Sequence, residues 1–213
     1  MDTSNFKLQF ITQPSEKISI IDEVTAVLQG GCRWIQLRMK DSSENKFIDI
    51  GLKIKQLCKS YQATFIINDY AELVKVIGAD GVHLGINDMP ISQARKMLGD
   101  NYIIGATANN FEHIVHASKQ QADYIGLGPY KFTTTKKNLS PILGLNGYQQ
   151  IIEQCIKNDI HLPIVAIGGI EIADIQVLLQ TKIAGIAMSG TLLHNANIKQ
   201  QTELVIKEIN NNR

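Results

Sequence analysis

Residues 34–67 read WIQLRMKDSSENKFIDIGLKIKQLCKSYQATFII, one complete unit of a parallel fold. The stretch opens on a β-type run, Trp34–Arg38, and closes on another, Thr64–Ile67. Between them Phe47, Ile50, Ile54 and Leu57 recur at helical spacing. Two strands joined through an amphipathic helix need a crossover connection, which makes them parallel. The pattern continues in both directions. Further runs lie at Leu8–Thr12, Gly81–Leu84, Tyr102–Thr107, Tyr124–Leu127, Ile164–Ile167 and Gly185–Met188, and Ile18, Ile21, Val24, Ala26 and Leu28 carry the helical period after the first. The runs are continuously apolar rather than alternating, as strands covered on both faces should be.

Eight such units predict an α/β fold: a single-domain (β/α)8 TIM barrel occupying residues 1–213. The length allows about 27 residues per unit, near the compact end for this barrel. No low-complexity tract or linker divides the chain, and the one long segment without a period runs from Gly128 to Asn146. An open doubly wound sheet is the competing arrangement. It normally uses fewer strands, and its GxGxxG turn is missing after the first run, where Thr12, Gln13, Pro14 and Ser15 stand.

Composition narrows the classes further. With 44% hydrophobic and 19% charged residues the chain is neither disordered nor a disulfide miniprotein. A net charge of +1 gives no basic field for duplex DNA, so any bound anion must meet local cations. Cys32, Cys58 and Cys155 form no CxxC pair and read as reduced core thiols. Met1 to Asn5 are polar, and Leu8–Ile11 is too brief for a secretion signal or a membrane span. The expectation is a cytoplasmic protein with small-molecule partners rather than nucleic acid or membrane, and the sequence excludes neither a monomer nor a homo-oligomer.

Active sites of this barrel lie at the carboxyl ends of the strands, and polar residues collect where the apolar runs stop. The second run ends Gln36-Leu37-Arg38-Met39-Lys40, and alternation sends Gln36, Arg38 and Lys40 to one side. Alone, Arg38 and Lys40 would read as solvated strand-end charges. The third run ends at Asn68-Asp69 and the fourth leads to Asp88, so two carboxylates face the cations. One or two carboxylates with phosphate oxygens are a typical Mg²⁺ set; Asp88, before Met89-Pro90, could also cap the next helix, and the two roles can coexist.

The loop after the sixth run carries Thr133, Thr134, Thr135, Lys136 and Lys137, hydroxyls and cations suited to phosphate or to solvent. The seventh run ends Gly168-Gly169 and the eighth Ser189-Gly190-Thr191. Glycines there let backbone approach a ligand, and this barrel commonly holds phosphate at these two loops. Two anion sites follow, one linked to magnesium and one free of metal. His83, at the end of the fourth run, could be a base or a structural residue, and the other histidines, including His194, show no partner pattern.

Taken together, Gln36-x-Arg38-x-Lys40, Ile67-Asn68-Asp69, Gly78-Ala79-Asp80-Gly81-Val82-His83-Leu84-Gly85 with Asp88, Gly105-x-Thr107, Gly126-x-Gly128-Pro129, Thr133-x-Thr135-Lys136 and Ile167-Gly168-Gly169-Ile170 resemble the thiamine-phosphate synthase family over nearly the whole chain. The resemblance implies that Gln36, Arg38, Lys40, Asn68, Thr107 and Lys136 hold an aminopyrimidine diphosphate. It assigns Asp69 and Asp88 to Mg²⁺, and Thr133, Thr135, Gly169, Ser189 and Gly190 to a thiazole phosphate. Arg38, Lys40 and Lys136 would be catalytic, stabilising departing pyrophosphate while a pyrimidine carbocation is captured by the thiazole nitrogen. Two positions depart from the family pattern: Met39 stands where Glu is usual, and Gly190 where Ser is often found. A thiazole tautomerase of the same fold would need neither the magnesium pair nor the diphosphate cations, and a non-catalytic phosphate-binding regulator no convergent Mg²⁺ ligands.

Overall fold

The computed structural model describes residues 7–15, 17–133 and 140–212. Its strands are β1 (Leu8–Ile11), β2 (Trp34–Leu37), β3 (Thr64–Asn68), β4 (Gly81–Leu84), β5 (Ile103–Ala108), β6 (Tyr124–Leu127), β7 (Ile164–Ile167) and β8 (Gly185–Met188). They pair in sequence order, all parallel, and β8 returns to β1, closing the barrel. Helices α1 (Ile20–Gln29), α2 (Glu44–Ser60), α3 (Val74–Ile77), α4 (Ile91–Leu98), α5 (Phe111–Lys119), α6 (Gly144–Lys157), α7 (Ile175–Gln180), α8 (Gly190–Leu193) and α9 (Ile198–Asn211) make the outer ring. Closure rules out the open sheet. Among the described residues no helix is long and apolar enough to cross a membrane.

The continuous apolar runs serve two separate cores. Ile11, Trp34, Ile66, Tyr124, Val165 and Ala187 pack together inside the barrel. Their sequence neighbours, among them Phe10, Ile35, Phe65 and Ile186, pack outward with the helices. Inside, Trp34 and Tyr124 meet edge to face with centroids 4.9 Å apart, a contact worth about 1 kcal/mol beyond its buried area. Helix starts obey local chemistry: Ser19, Ser43 and Asn110 each accept a backbone N–H of the first turn. All three cysteines are buried and unbridged, and burial pushes the thiols of Cys32 and Cys58 up to about 11 and about 12.

Strand ends differ from the sequence expectation by one residue, the second strand stopping at Leu37 rather than Arg38. The first strand stops at Ile11, one residue short; Thr12 N still donates to Gln36 O (3.0 Å), and the Thr12 hydroxyl accepts from Arg38 N (2.9 Å) and donates to Arg38 O (3.1 Å). This clamp fixes the direction in which the chain leaves β2. The third and fifth strands each run one residue further, to Asn68 and Ala108. Asn68 thereby pairs with His83, and Thr107 with Gly126, which brings three polar interior positions close to the mouth.

Candidate active site

The carboxyl ends of the strands surround a cavity of about 520 Å³, a size suited to small-molecule ligands. Gln36, Arg38, Lys40, Asn68, Asp69, Asp88, Thr107, Thr133, Gly169, Ser189 and Gly190 all line it. Thr135 and Lys136 lie outside the described residues. Met39 is buried in the outer core, so alternation does turn position 39 away from the mouth.

On the β2 to β5 side the arrangement is charged. Gln36 is buried and donates Nε2–H to Asn68 Oδ1 at 2.7 Å, while its own Oε1 has no partner among the described residues. Arg38 is half-buried; burial lowers its pKa, but Asp69 and Asp41 oppose the shift, and a guanidinium stays charged. Lys40 Nζ lies 3.6 Å from Asp69 Oδ2. Burial first, and then the Asp88 carboxyl within hydrogen-bonding reach, raise the Asp69 carboxyl to about 6. Asp69 and Asp88 thus crowd each other, a conflict that a cation between them would relieve. Asp88 does not cap α4. Its Oδ2 accepts from Gly85 N (2.6 Å) within the turn after β4, and the position before α4 is Pro90, which makes no side-chain cap.

No group of three or more His, Cys, Asp or Glu gathers for a metal among the described residues. A cation that draws most of its ligands from water and phosphate needs only the pair, so the donor set fits Mg²⁺ rather than a caged metal.

The β7 and β8 side offers backbone, hydroxyls and the Glu171 carboxylate. Gly168 and Gly169 have φ of 98° and 65°. The close approach that requires glycine here is first of all the protein's own: a Cβ on Gly169 would fall 2.5 Å from Phe132 O, and one on Gly168 2.7 Å from Pro129 Cβ. Ser189 donates to Gln13 Oε1 (3.2 Å), and Thr191 to Ile170 O (2.6 Å). Lys131 is drawn away from the cavity by both carboxylate oxygens of Asp174 at 2.8 Å.

Three contributions were not legible in the sequence. Asn109 lines the cavity and donates to Gly128 O beside the cis Gly128–Pro129 peptide. His194, exposed, also lines it, its ring packed where a Cβ on Gly190 would come within 3.1 Å. The four-residue spacing from Gly190, one helical turn, was the available signal. Glu23 is fully buried on α1 and accepts from Gln13 N at 3.4 Å. His83, for its part, has both ring nitrogens engaged inside the barrel, at 3.0 Å from Tyr124 Oη and 3.0 Å from Thr107 Oγ1. It is not poised as a base.

Residues 8–192 match the thiamine monophosphate synthase family. The chain belongs to that family. A thiamine-phosphate synthase of Phocaeicola vulgatus is 50% identical over 206 residues, covering 97% of this chain and 99% of the relative. One from Bacteroides thetaiotaomicron is 47% identical over 199 residues, covering 93% and 95%. Among solved structures, thiamine phosphate pyrophosphorylase from Pyrococcus furiosus superposes with a TM-score of 0.87 at 32% identity, over 98% of both chains. The family match spans every strand of the barrel, β1 through β8.

Proposed function

We propose that this chain is a thiamine-phosphate synthase, a transferase of thiamine biosynthesis acting as one catalytic domain, residues 1–213, in the cytoplasm. It joins 4-amino-2-methyl-5-(diphosphooxymethyl)pyrimidine to 4-methyl-5-(2-phosphooxyethyl)thiazole and releases pyrophosphate; from the carboxylated form of the thiazole, CO2 leaves as well. The carrying observation is the meeting of Gln36, Arg38 and Lys40 with the Asp69 and Asp88 pair in one cavity, facing the glycine and hydroxyl loops of β7 and β8.

The chemistry is dissociative. The bond between the pyrimidine methylene carbon and the diphosphate oxygen breaks, and its electron pair leaves with pyrophosphate. Arg38, Lys40 and Lys136 meet the charge that grows on the leaving oxygens, an interaction stronger in the transition state than in the ground state. Gln36, Asn68 and Thr107 hold the pyrimidine diphosphate; Thr133, Thr135, Gly169, Ser189 and Gly190 hold the thiazole phosphate. The thiazole nitrogen lone pair then forms the new C–N bond to the methylene cation, and no proton moves. Mg²⁺, held by Asp69 and Asp88, would supply further neutralisation of the diphosphate. Positioning and electrostatics suffice, which agrees with the engagement of both His83 nitrogens within the barrel.

Incubating the protein with both half-molecules and Mg²⁺ tests the reading: thiamine phosphate and pyrophosphate should appear in equal amounts. Calorimetric titration with pyrophosphate separates the alternatives, since a tautomerase or a silent phosphate-binding regulator would show no Mg²⁺-dependent pyrophosphate binding.

A further inference from the structure

A line of polar groups crosses the barrel interior beneath the mouth. Gln9 Nε2 donates to Tyr124 Oη at 3.1 Å; Tyr124 Oη lies 3.0 Å from His83 Nδ1; His83 Nε2 lies 3.0 Å from Thr107 Oγ1. Gln9, Tyr124 and His83 are all buried. Two strands leave out side chains to house the rings. A Cβ on Gly105 would fall 2.2 Å from Tyr124 Cζ, and one on Gly126 2.9 Å from His83 Cε1. An apolar filling of this space would avoid the desolvation of every polar group in the line, so the line calls for a use.

We propose that Gln9, Tyr124 and His83 are positioning residues that fix the direction of hydrogen bonding at Thr107, so that its hydroxyl accepts from the barrel interior and presents its proton to the pyrimidine diphosphate. An amide nitrogen can only donate, so the Gln9 contact occupies the Tyr124 oxygen as an acceptor. Burial keeps the Tyr124 phenol protonated, its pKa pushed far above the usual range. In the proposed direction its proton is given to His83 Nδ1, 3.0 Å away. The imidazole then carries its proton on Nε2 and donates to Thr107 Oγ1, and the Thr107 proton turns to the cavity that this residue lines. In the opposite direction Thr107 would give its proton to His83 and meet an anionic substrate with lone pairs. The inference rests on the proposed function for the identity of the ligand, not for the bonding direction.

The tautomer of His83 can be read by two-bond ¹H–¹⁵N correlation of the histidine rings in the unliganded full chain, assigned against His83→Asn. The expected result is a single Nε2–H form in the native protein and a mixture with Nδ1–H in Tyr124→Phe, which keeps the ring and removes the proton. In the same variant kcat/KM for the pyrimidine diphosphate should fall about tenfold, with the thiazole phosphate KM within about twofold of native. A mere loosening of the barrel floor would disturb both substrates alike. Should Tyr124→Phe not fold, Thr107→Val and Thr107→Ser serve instead: the first should reproduce the pyrimidine-side loss and the second restore it. An Nδ1–H tautomer in the native protein, or equal losses on both substrates, overturns the proposal. An Nε2–H tautomer in a native protein that makes no thiamine phosphate overturns the proposed function and leaves the bonding direction standing.

Discussion

At the ends of β2 to β5 the cavity is walled by long side chains of both charges, whereas at the ends of β7 and β8 it is walled mainly by glycine backbone and small hydroxyls, with Glu171 and His194 beside them. The first wall carries electrostatic conflict: Asp69 and Asp88 crowd together, with Arg38 and Lys40 beside them. The second is tied into the protein's own loops, Gly169 against Phe132, Thr191 against Ile170, Ser189 against Gln13. On the proposed reading this division follows the chemistry. Charge builds on the pyrophosphate during reaction and needs groups that answer it, while the thiazole phosphate keeps its charge throughout and needs only a rigid seat.

The largest expected effect tests the charged wall. Arg38→Ala should lower kcat by about a hundredfold, near 3 kcal/mol, because its interaction strengthens as charge develops. The thiazole phosphate KM should hold steady. Lys136→Ala should behave alike. A pure KM effect in steady-state kinetics would make these residues binders only and erase the contrast between the walls.

Next come the carboxylates. Asp69→Asn and Asp88→Asn should each raise the Mg²⁺ concentration for half-maximal turnover by at least about tenfold, since even outer-shell partners of a metal are worth that much. Excess Mg²⁺ should recover part of the rate, and circular dichroism should show an intact fold. Full activity of Asp88→Asn at limiting Mg²⁺ would reduce Asp88 to its bond with Gly85 N.

How much of these walls could be read from sequence depends on what held each residue in place. Lys40, Asp69 and Asp88 stand where apolar runs stop, and Arg38 lies just past the end of β2, so the strand pattern alone delivers them to the mouth. Eight continuous apolar runs gave the barrel for the same reason. The interior was harder. Tyr124 reads as one more apolar strand residue, and only closure of the barrel brings it between Gln9 of β1 and His83 of β4. Gly168-Gly169 was legible as a turn, but its neighbour was not: the loop after β6 fills the space, a contact across chain distance that no local pattern encodes. Glu23 looked like an ordinary first-turn acid of α1 and is in fact fully buried.

Gly169→Ala probes the second wall. At φ 65°, with the new Cβ 2.5 Å from Phe132 O, the residue must push the 131–133 loop aside, at a cost of roughly 1–3 kcal/mol in stability. The thiazole phosphate KM should rise by about tenfold or less, and Mg²⁺-dependent pyrophosphate binding, measured by calorimetry on the same variant, should not change. Loss of pyrophosphate binding with the thiazole KM spared would exchange the two ligands between the walls.

The smallest effect on turnover, and the one that refines the contrast most, concerns Glu23, which places a carboxyl beneath the second wall. It accepts from Gln13 N, and Gln13 in turn accepts from Ser189. Burial raises this carboxyl to about 7. A carboxyl whose folded pKa lies above its unfolded value contributes stability that is complete below about 4.5 and is lost as pH rises through about 7. Asp69, raised to about 6, has the same sign and accounts for part of the loss at lower pH, so the window from about 6 to 8 belongs mainly to Glu23. Glu23→Gln keeps an acceptor for Gln13 N and removes the titration. The native protein should lose on the order of 2 kcal/mol between pH 6 and 8 in urea unfolding, and the variant should lose much less, becoming the more stable of the two at pH 8. Equal slopes in both proteins would mean that Glu23 ionises in the fold at little cost, and the second wall would then sit above a buried negative charge, a poor seat for phosphate.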